Sequence, residues 1–80
     1  MNSEDLDGLL NLLCEAPEDQ LCGSIVKRIK SVIGKSPEDT SDELKRILDD
    51  CTNYSLASGF TMVTLNIARD MALKENKQHE

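Results

Sequence analysis

Pairs of adjacent carboxylates are the residues of this sequence whose type and spacing come closest to chemistry. Two neighbouring carboxylates can serve as general acid and general base when their surroundings separate their pKa values. The pairs are Glu4 and Asp5, Glu18 and Asp19, Glu38 and Asp39, Asp42 and Glu43, and Asp49 and Asp50. The first four pairs coincide with predicted helix starts, where negative charge stabilises the helix dipole. We therefore interpret these four as helix-start residues and predict no catalytic residue.

The fifth pair, Asp49 and Asp50, lies in the middle of a predicted helix, where no helix start accounts for it. We expect both aspartates on the solvent side of the apolar face that contains Leu44 and Leu48. In that position they are predicted to contact a partner protein that carries a basic patch. A solvated helix face without a partner is the alternative.

Three thiols and one imidazole are the other reactive groups. Cys14, Cys22 and Cys51 are odd in number and lack CxxC spacing, so the sequence predicts neither a disulfide framework nor a tetrahedral zinc site. We expect the thiols to be small buried hydrophobic groups. His79 follows the last apolar position and is predicted to be a solvated tail residue. Glycine-rich phosphate or dinucleotide motifs, HExxH and EF-hand loops are missing from the sequence, which predicts no enzyme activity, no metal and no cofactor.

Length and charge narrow the classes of partner. The 80 residues fit one domain, residues 1–80, and the net charge of −6 disfavours phosphate binding. Tyr54 and Phe60 are the only aromatic residues, so a base-stacking platform cannot be built. The one basic cluster is predicted to compensate a helix dipole and comprises Lys27, Arg28, Lys30 and Lys35. We predict a protein partner and no direct binding of nucleic acid.

The N-terminal segment bears on location. Acidic residues stand where a secretory signal needs a basic flank, and no apolar run approaches membrane-spanning length. We therefore expect a cytoplasmic protein without a membrane partner.

Apolar periodicity predicts an all-α fold, a bundle of three to four short helices. The first helix begins at Ser3, and the second begins at Pro17 and ends at Gly34. The third begins at Ser36 or at Thr40, because each is followed three residues later by an acid that completes a capping box.

The last predicted helix runs from about Thr61 to Lys77, and residues 75–80 are predicted to form a disordered tail. Gly59 leaves two arrangements open. It either ends the third helix or lies inside one long helix that starts near Thr40, and the long helix would favour an extended dimer.

The segment from Cys51 to Ala68 contains no charged residue, which is unusual for about five helical turns of a small soluble protein. An interface with another chain would explain this composition. The alternative is that the uncharged polar residues face water or line a tight turn. We predict the interface residues as Tyr54, Leu56, Phe60, Met62, Val63, Leu65, Ile67 and Met71.

Two segments, Gly23 to Ile29 (GSIVKRI) and Leu44 to Asp50 (LKRILDD), occur in an order that resembles the enterobacterial YmgB/AriR family of biofilm-development and acid-resistance regulators. The resemblance covers about residues 20–72. It implies a small helical homodimer without catalytic activity, a connector that binds a signalling protein or a nucleoid-associated regulator. Leu48 with Asp49 would match a leucine and acid pair of that family.

These observations together predict a non-enzymatic acidic regulator that acts by protein–protein binding, as a homodimer that uses the last helix. The alternative is a small chaperone or assembly factor that sheathes a hydrophobic helix of a secretion-system or phage component. An acidic DNA mimic is less favoured, because the acids gather at helix starts and do not form surface rows.

Overall fold

Four helices make up the chain in the computed structural model, which describes the backbone of residues 3–78 and the side chains of residues 4–75. They are α1 (Ser3–Cys14), α2 (Gly23–Val32), α3 (Pro37–Tyr54) and α4 (Gly59–Gln78). Helices α3 and α4 form the largest contact, while α1 packs on α2 and α4, and α2 packs on α1 and α3. No β-strand occurs within the described range, where one isolated bridge joins Leu21 and Ala57. The all-α prediction is confirmed.

The predicted start of the second helix at Pro17 is wrong, because α2 begins at Gly23. Pro17 instead opens a turn, in which its carbonyl accepts hydrogen bonds from the N–H groups of Gln20 (2.9 Å) and Leu21 (3.1 Å). The Cys22 N–H then donates to the Leu56 carbonyl (3.0 Å), and the Ser58 N–H donates to the Gln20 carbonyl (2.8 Å). These long-range bonds tie the segment to the α3–α4 connection, which a continued helix could not do.

The start of α3 follows the first of the two capping registers. The Ser36 hydroxyl accepts a hydrogen bond from the Asp39 N–H at 3.2 Å, and Pro37 occupies the first helical position. Thr40 is buried inside the first turn, where its hydroxyl donates to the Val32 carbonyl at 3.4 Å. Gly34 lies two residues beyond the end of α2 with φ of +87°, so the predicted stop for that helix is confirmed.

The break between α3 and α4 shows that both arrangements predicted for Gly59 are wrong, because the chain forms no single long helix and Gly59 does not end α3. Helix α3 ends at Tyr54, and Ser55 takes the left-handed conformation with φ of 55°. Gly59 is the first residue of α4, whose N-terminus is capped by the Ser58 hydroxyl accepting from the Thr61 N–H at 3.2 Å. Helix α4 continues to Gln78, through part of the predicted tail. Residues 79–80 of that tail, including His79, lie outside the described residues.

The core lies between all four helices. Its buried apolar residues are Leu6, Leu10, Leu13, Leu21, Ile25, Ile29, Val32, Leu44, Ile47, Leu48, Cys51, Leu65, Ala68 and Ala72. The apolar faces predicted for the first three helices supply most of them. Helix α4 contributes one large residue, Leu65, together with two alanines. Among the helices of residues 3–78, none is long and apolar enough to cross a membrane.

Candidate protein-binding surface

Helix α4 carries three large apolar side chains on its outer face. Phe60, Val63 and Ile67 are 78%, 59% and 49% exposed. At 100° per residue these positions fall within an arc of about 60°, so they form one row, which we call the α4 stripe. Met71 continues this row by one turn and is half-buried. A row of exposed large apolar side chains on one helix face is a candidate contact site.

An apolar groove adjoins the stripe where α1 and α4 lie side by side. It has a volume of about 380 Å³, and Phe60 is shared between stripe and groove. We call it the α1–α4 groove. Its lining residues are Leu9, Leu12, Leu13, Glu15, Ala16, Gln20, Phe60, Thr61 and Thr64.

Leu12 is the exposed apolar residue on the α1 wall of this groove, 65% accessible to solvent. Sequence reasoning did not predict it as an interface residue. The signal was present, because Leu12 lies off the apolar face of Leu6, Leu10 and Leu13 that packs into the core. A leucine placed outside the core face of an amphipathic helix is a candidate contact residue.

Acidic residues lie at one end of the α1–α4 groove. Glu15 is the charged residue among those described as lining it. The following turn carries Glu18 and Asp19, both exposed, immediately before the lining residue Gln20. Residues 1–26 contain no Lys or Arg, and α4 contains no charged residue before Arg69. Arg69 itself lines a different cleft, between α3 and α4. Lys30 of α2 is near enough to Cys14 to oppose the rise in the pKa of that thiol, but it is not among the residues that line the groove.

The predicted interface residues divide into three classes. Phe60, Val63 and Ile67 are exposed on the α4 stripe, and Tyr54 is 71% exposed at the end of α3. The half-buried members are Leu56, Met62 and Met71. Leu65 is fully buried in the core, where it offers no surface to a partner. The charge-free segment therefore supplies both the interior of the bundle and its outer face, and absence of charge alone did not separate the two.

The two aspartates predicted to bind a partner have different surroundings. Asp50 pairs with Arg28 of α2 at 2.5 Å, and Arg28 also contacts Glu43 at 2.9 Å. The hydrogen bond with Asp50 is the main cause that raises the pKa of Arg28 above its usual value, with Glu43 adding to it against the opposing effect of burial. Asp49 is exposed and lines the α3–α4 cleft with Lys45 and Arg69.

Sequence reasoning missed the link that Arg28 makes between α2 and α3. It assigned Arg28 to dipole compensation, whereas the guanidinium bridges two acids that stand seven residues apart on α3. A spacing of seven residues is two helical turns, so both acids share the α3 face toward α2. That spacing was the available signal.

The thiols are free and lie at or near the core. Cys51 is buried, whereas Cys14 and Cys22 are half-buried. Loss of hydration on burial raises the pKa of the Cys51 and Cys14 thiols, which keeps both protonated at neutral pH. No cluster of three or more metal-ligating side chains occurs in the part of the chain that the structure describes.

Comparisons with known proteins add no assignment to this surface. No protein-family model matches the chain, and neither a curated protein nor a solved structure matches it.

Proposed function

We propose that this chain is a non-enzymatic protein-binding module of a regulatory kind, and that the α4 stripe and the adjoining groove contact its partner. One observation carries the proposal: three large apolar side chains of α4 face outward, while two of the three apolar side chains that it is described as burying are alanines. Phe60 and Val63 are more than half exposed, whereas Ala68 and Ala72 are fully buried. Soluble helices normally do the reverse, because burying a large apolar side chain stabilises the fold by about 1.5–3 kcal/mol. A second protein that covers the stripe supplies this stabilisation.

The disposition of the charged residues supports a binding role more than a catalytic one. Glu43 and Asp50 are engaged with Arg28, and Asp39 and Glu38 occupy the first turn of α3. Raised pKa values keep the Cys14 and Cys51 thiols in their unreactive form at neutral pH.

The predicted homodimer would use the α4 stripe, and the resemblance to the YmgB/AriR regulators favours that assembly. Both stay predictions, which a measured mass tests. The groove supports the second candidate, a chaperone that sheathes an apolar helix, because Leu9, Leu12 and Phe60 line an open cleft along two helices.

A pair of variants on α4 tests the binding role. Val63→Glu places a charge on the stripe, and Asn66→Glu places one on an exposed position of the same helix that lines the α3–α4 cleft. Each tagged protein is purified from its host at physiological salt and weighed by light scattering. We expect Val63→Glu to lose the protein that accompanies the wild type, and Asn66→Glu to keep it. Equal retention by both variants, or a wild-type chain with no bound protein and the mass of a monomer, would contradict the proposal.

A further inference from the structure

We propose that the α1–α4 groove binds a basic amphipathic helix of another protein. This inference rests on the proposed function and specifies the chemistry of the partner. The groove has two walls, formed by Leu9 and Leu12 on α1 and by Phe60 and Thr64 on α4. A third helix that lies along two others inserts its apolar residues, spaced three or four apart, between the walls.

The shape of the α1 wall leaves a path for such a helix. Gly8 is exposed and precedes Leu12 by one turn, on the same side of α1. Nothing lies within 4 Å of the point where a Cβ atom of Gly8 would be. The α1 wall therefore carries no side chain one turn before Leu12, and Phe60, 78% exposed, lines the groove on the α4 side.

Charge complementarity selects a basic partner. Glu15 lines the groove, and Glu18 and Asp19 follow in the adjoining turn, without a Lys or Arg anywhere in residues 1–26. A Lys or Arg at the edge of the incoming helix would meet these carboxylates. A second copy of this chain that presents its own groove would bring the same carboxylates, and its net charge of −6 opposes the contact.

The probe is a fluorescent Leu/Lys peptide of about 18 residues, five helical turns, with its leucines on one face. Two matched peptides accompany it: one with Glu in place of Lys, and one with the Leu/Lys composition scrambled so that no apolar face forms. Fluorescence anisotropy with the intact chain measures each affinity at physiological salt. We expect the basic amphipathic peptide to bind at least about tenfold more tightly than either counterpart, a difference of about 1.4 kcal/mol.

Variants locate the binding site. Phe60→Ser is expected to weaken binding about tenfold, as for a central interface aromatic, while Tyr54→Ser, at a similarly exposed aromatic at the end of α3, stays within about twofold. Glu15→Gln is expected to weaken binding about threefold, and Asp49→Asn, the same loss of charge outside the groove, to leave it unchanged. Circular dichroism confirms that each variant is folded.

The outcomes separate this inference from the proposed function. Equal binding of the amphipathic and scrambled basic peptides would overturn the inference, because it would reduce the effect to net charge. A wild-type dimer that binds no peptide, and that Val63→Glu dissociates, would also overturn it while supporting the protein-binding role through a second copy. A monomer that binds neither peptide nor any host protein would overturn both.

Discussion

Replacing Leu65 by alanine should strongly destabilise the fold. The substitution removes three carbon atoms from a side chain that is fully buried. At about 0.8 kcal/mol per buried carbon, transfer accounts for about 2.4 kcal/mol. A cavity term adds to this, because the neighbouring core residues of α4 are Ala68 and Ala72, which are too small to fill the space. We expect a total loss of about 3–4 kcal/mol, out of an unfolding free energy of about 4–12 kcal/mol for a chain of this length.

Ile67→Ala is the matched control, two residues further along the same helix. It also removes three carbon atoms, but from a side chain that is 49% exposed. No closed cavity forms, and alanine favours the helix more than isoleucine, so we expect a loss of at most about 1 kcal/mol. The comparison therefore isolates burial from side-chain size.

Urea denaturation followed by far-UV circular dichroism measures both losses. The slope of free energy against urea should be unchanged, so that the shift in midpoint reports stability alone. Equal losses for Leu65→Ala and Ile67→Ala would refute the assignment of Leu65 to the core and Ile67 to the surface. A loss for Ile67→Ala that grows with protein concentration would instead show that a second copy covers the α4 stripe.

Three further outcomes follow from individual contacts. Ser36→Ala removes the hydroxyl that caps α3 and should lower the free energy of unfolding by about 1 kcal/mol in urea denaturation. An unchanged midpoint would show that the Ser36 hydroxyl does not stabilise the start of α3. A double-mutant cycle with Arg28→Met and Glu43→Gln should give a coupling of about 0.5–1 kcal/mol that shrinks in high salt, because both side chains are partly exposed. Zero coupling at low salt would show that the two groups are solvated independently. Burial raises the pKa of the Cys51 thiol, so the unfolded chain releases this proton at a lower pH than the folded chain. The stabilisation from the protonated thiol should therefore be fully present below pH 9.0, the ordinary pKa of cysteine, and the free energy of unfolding should fall as the pH rises above it. Cys51→Ala should show a shallower fall with pH. Parallel curves for the two proteins would contradict the raised pKa of Cys51.

The spacing of apolar residues predicted the buried faces of the first three helices, but the start of the second helix was predicted at the wrong residue. The leucines at positions 6, 10 and 13 and the apolar residues of α2 and α3 are buried as their 3.6-residue period requires. Pro17 followed by two acids also fits a helix start, yet the chain forms a turn there. Backbone hydrogen bonds join this segment to Leu56 and Ser58, more than thirty positions away in the chain. Patterns of neighbouring residues carry no information about such long-range bonds.

The candidate surface was predictable in part. Lack of charge directed the interface prediction to α4, where Phe60, Val63 and Ile67 are exposed. The same criterion also selected Leu65, because apolar residues occur on most sides of α4 and their spacing does not mark one buried face. Which side faces inward is decided mainly by α1 and α3, with which α4 makes its largest contacts. The acidic end of the groove could not be predicted from the sequence, because Glu15 and Phe60 are 45 residues apart in the chain and only the fold brings them to the same groove.

The large exposed and small buried side chains of α4 make the stability of the fold largely independent of the binding surface. Among the described side chains of α4, residues 59–75, the inner face carries the small residues Ala68 and Ala72, and Leu65 is the one large apolar side chain that is fully buried. Stability gained through α4 therefore depends strongly on Leu65, with Met62 and Met71 packed partly against the core, while Phe60, Val63 and Ile67 contribute little to it because they stay hydrated. Substitutions on the α4 stripe can thus change partner binding while the bundle stays folded. This separation is what makes the stripe and groove variants informative, because lost binding in a folded variant reports on the partner contact and not on the core.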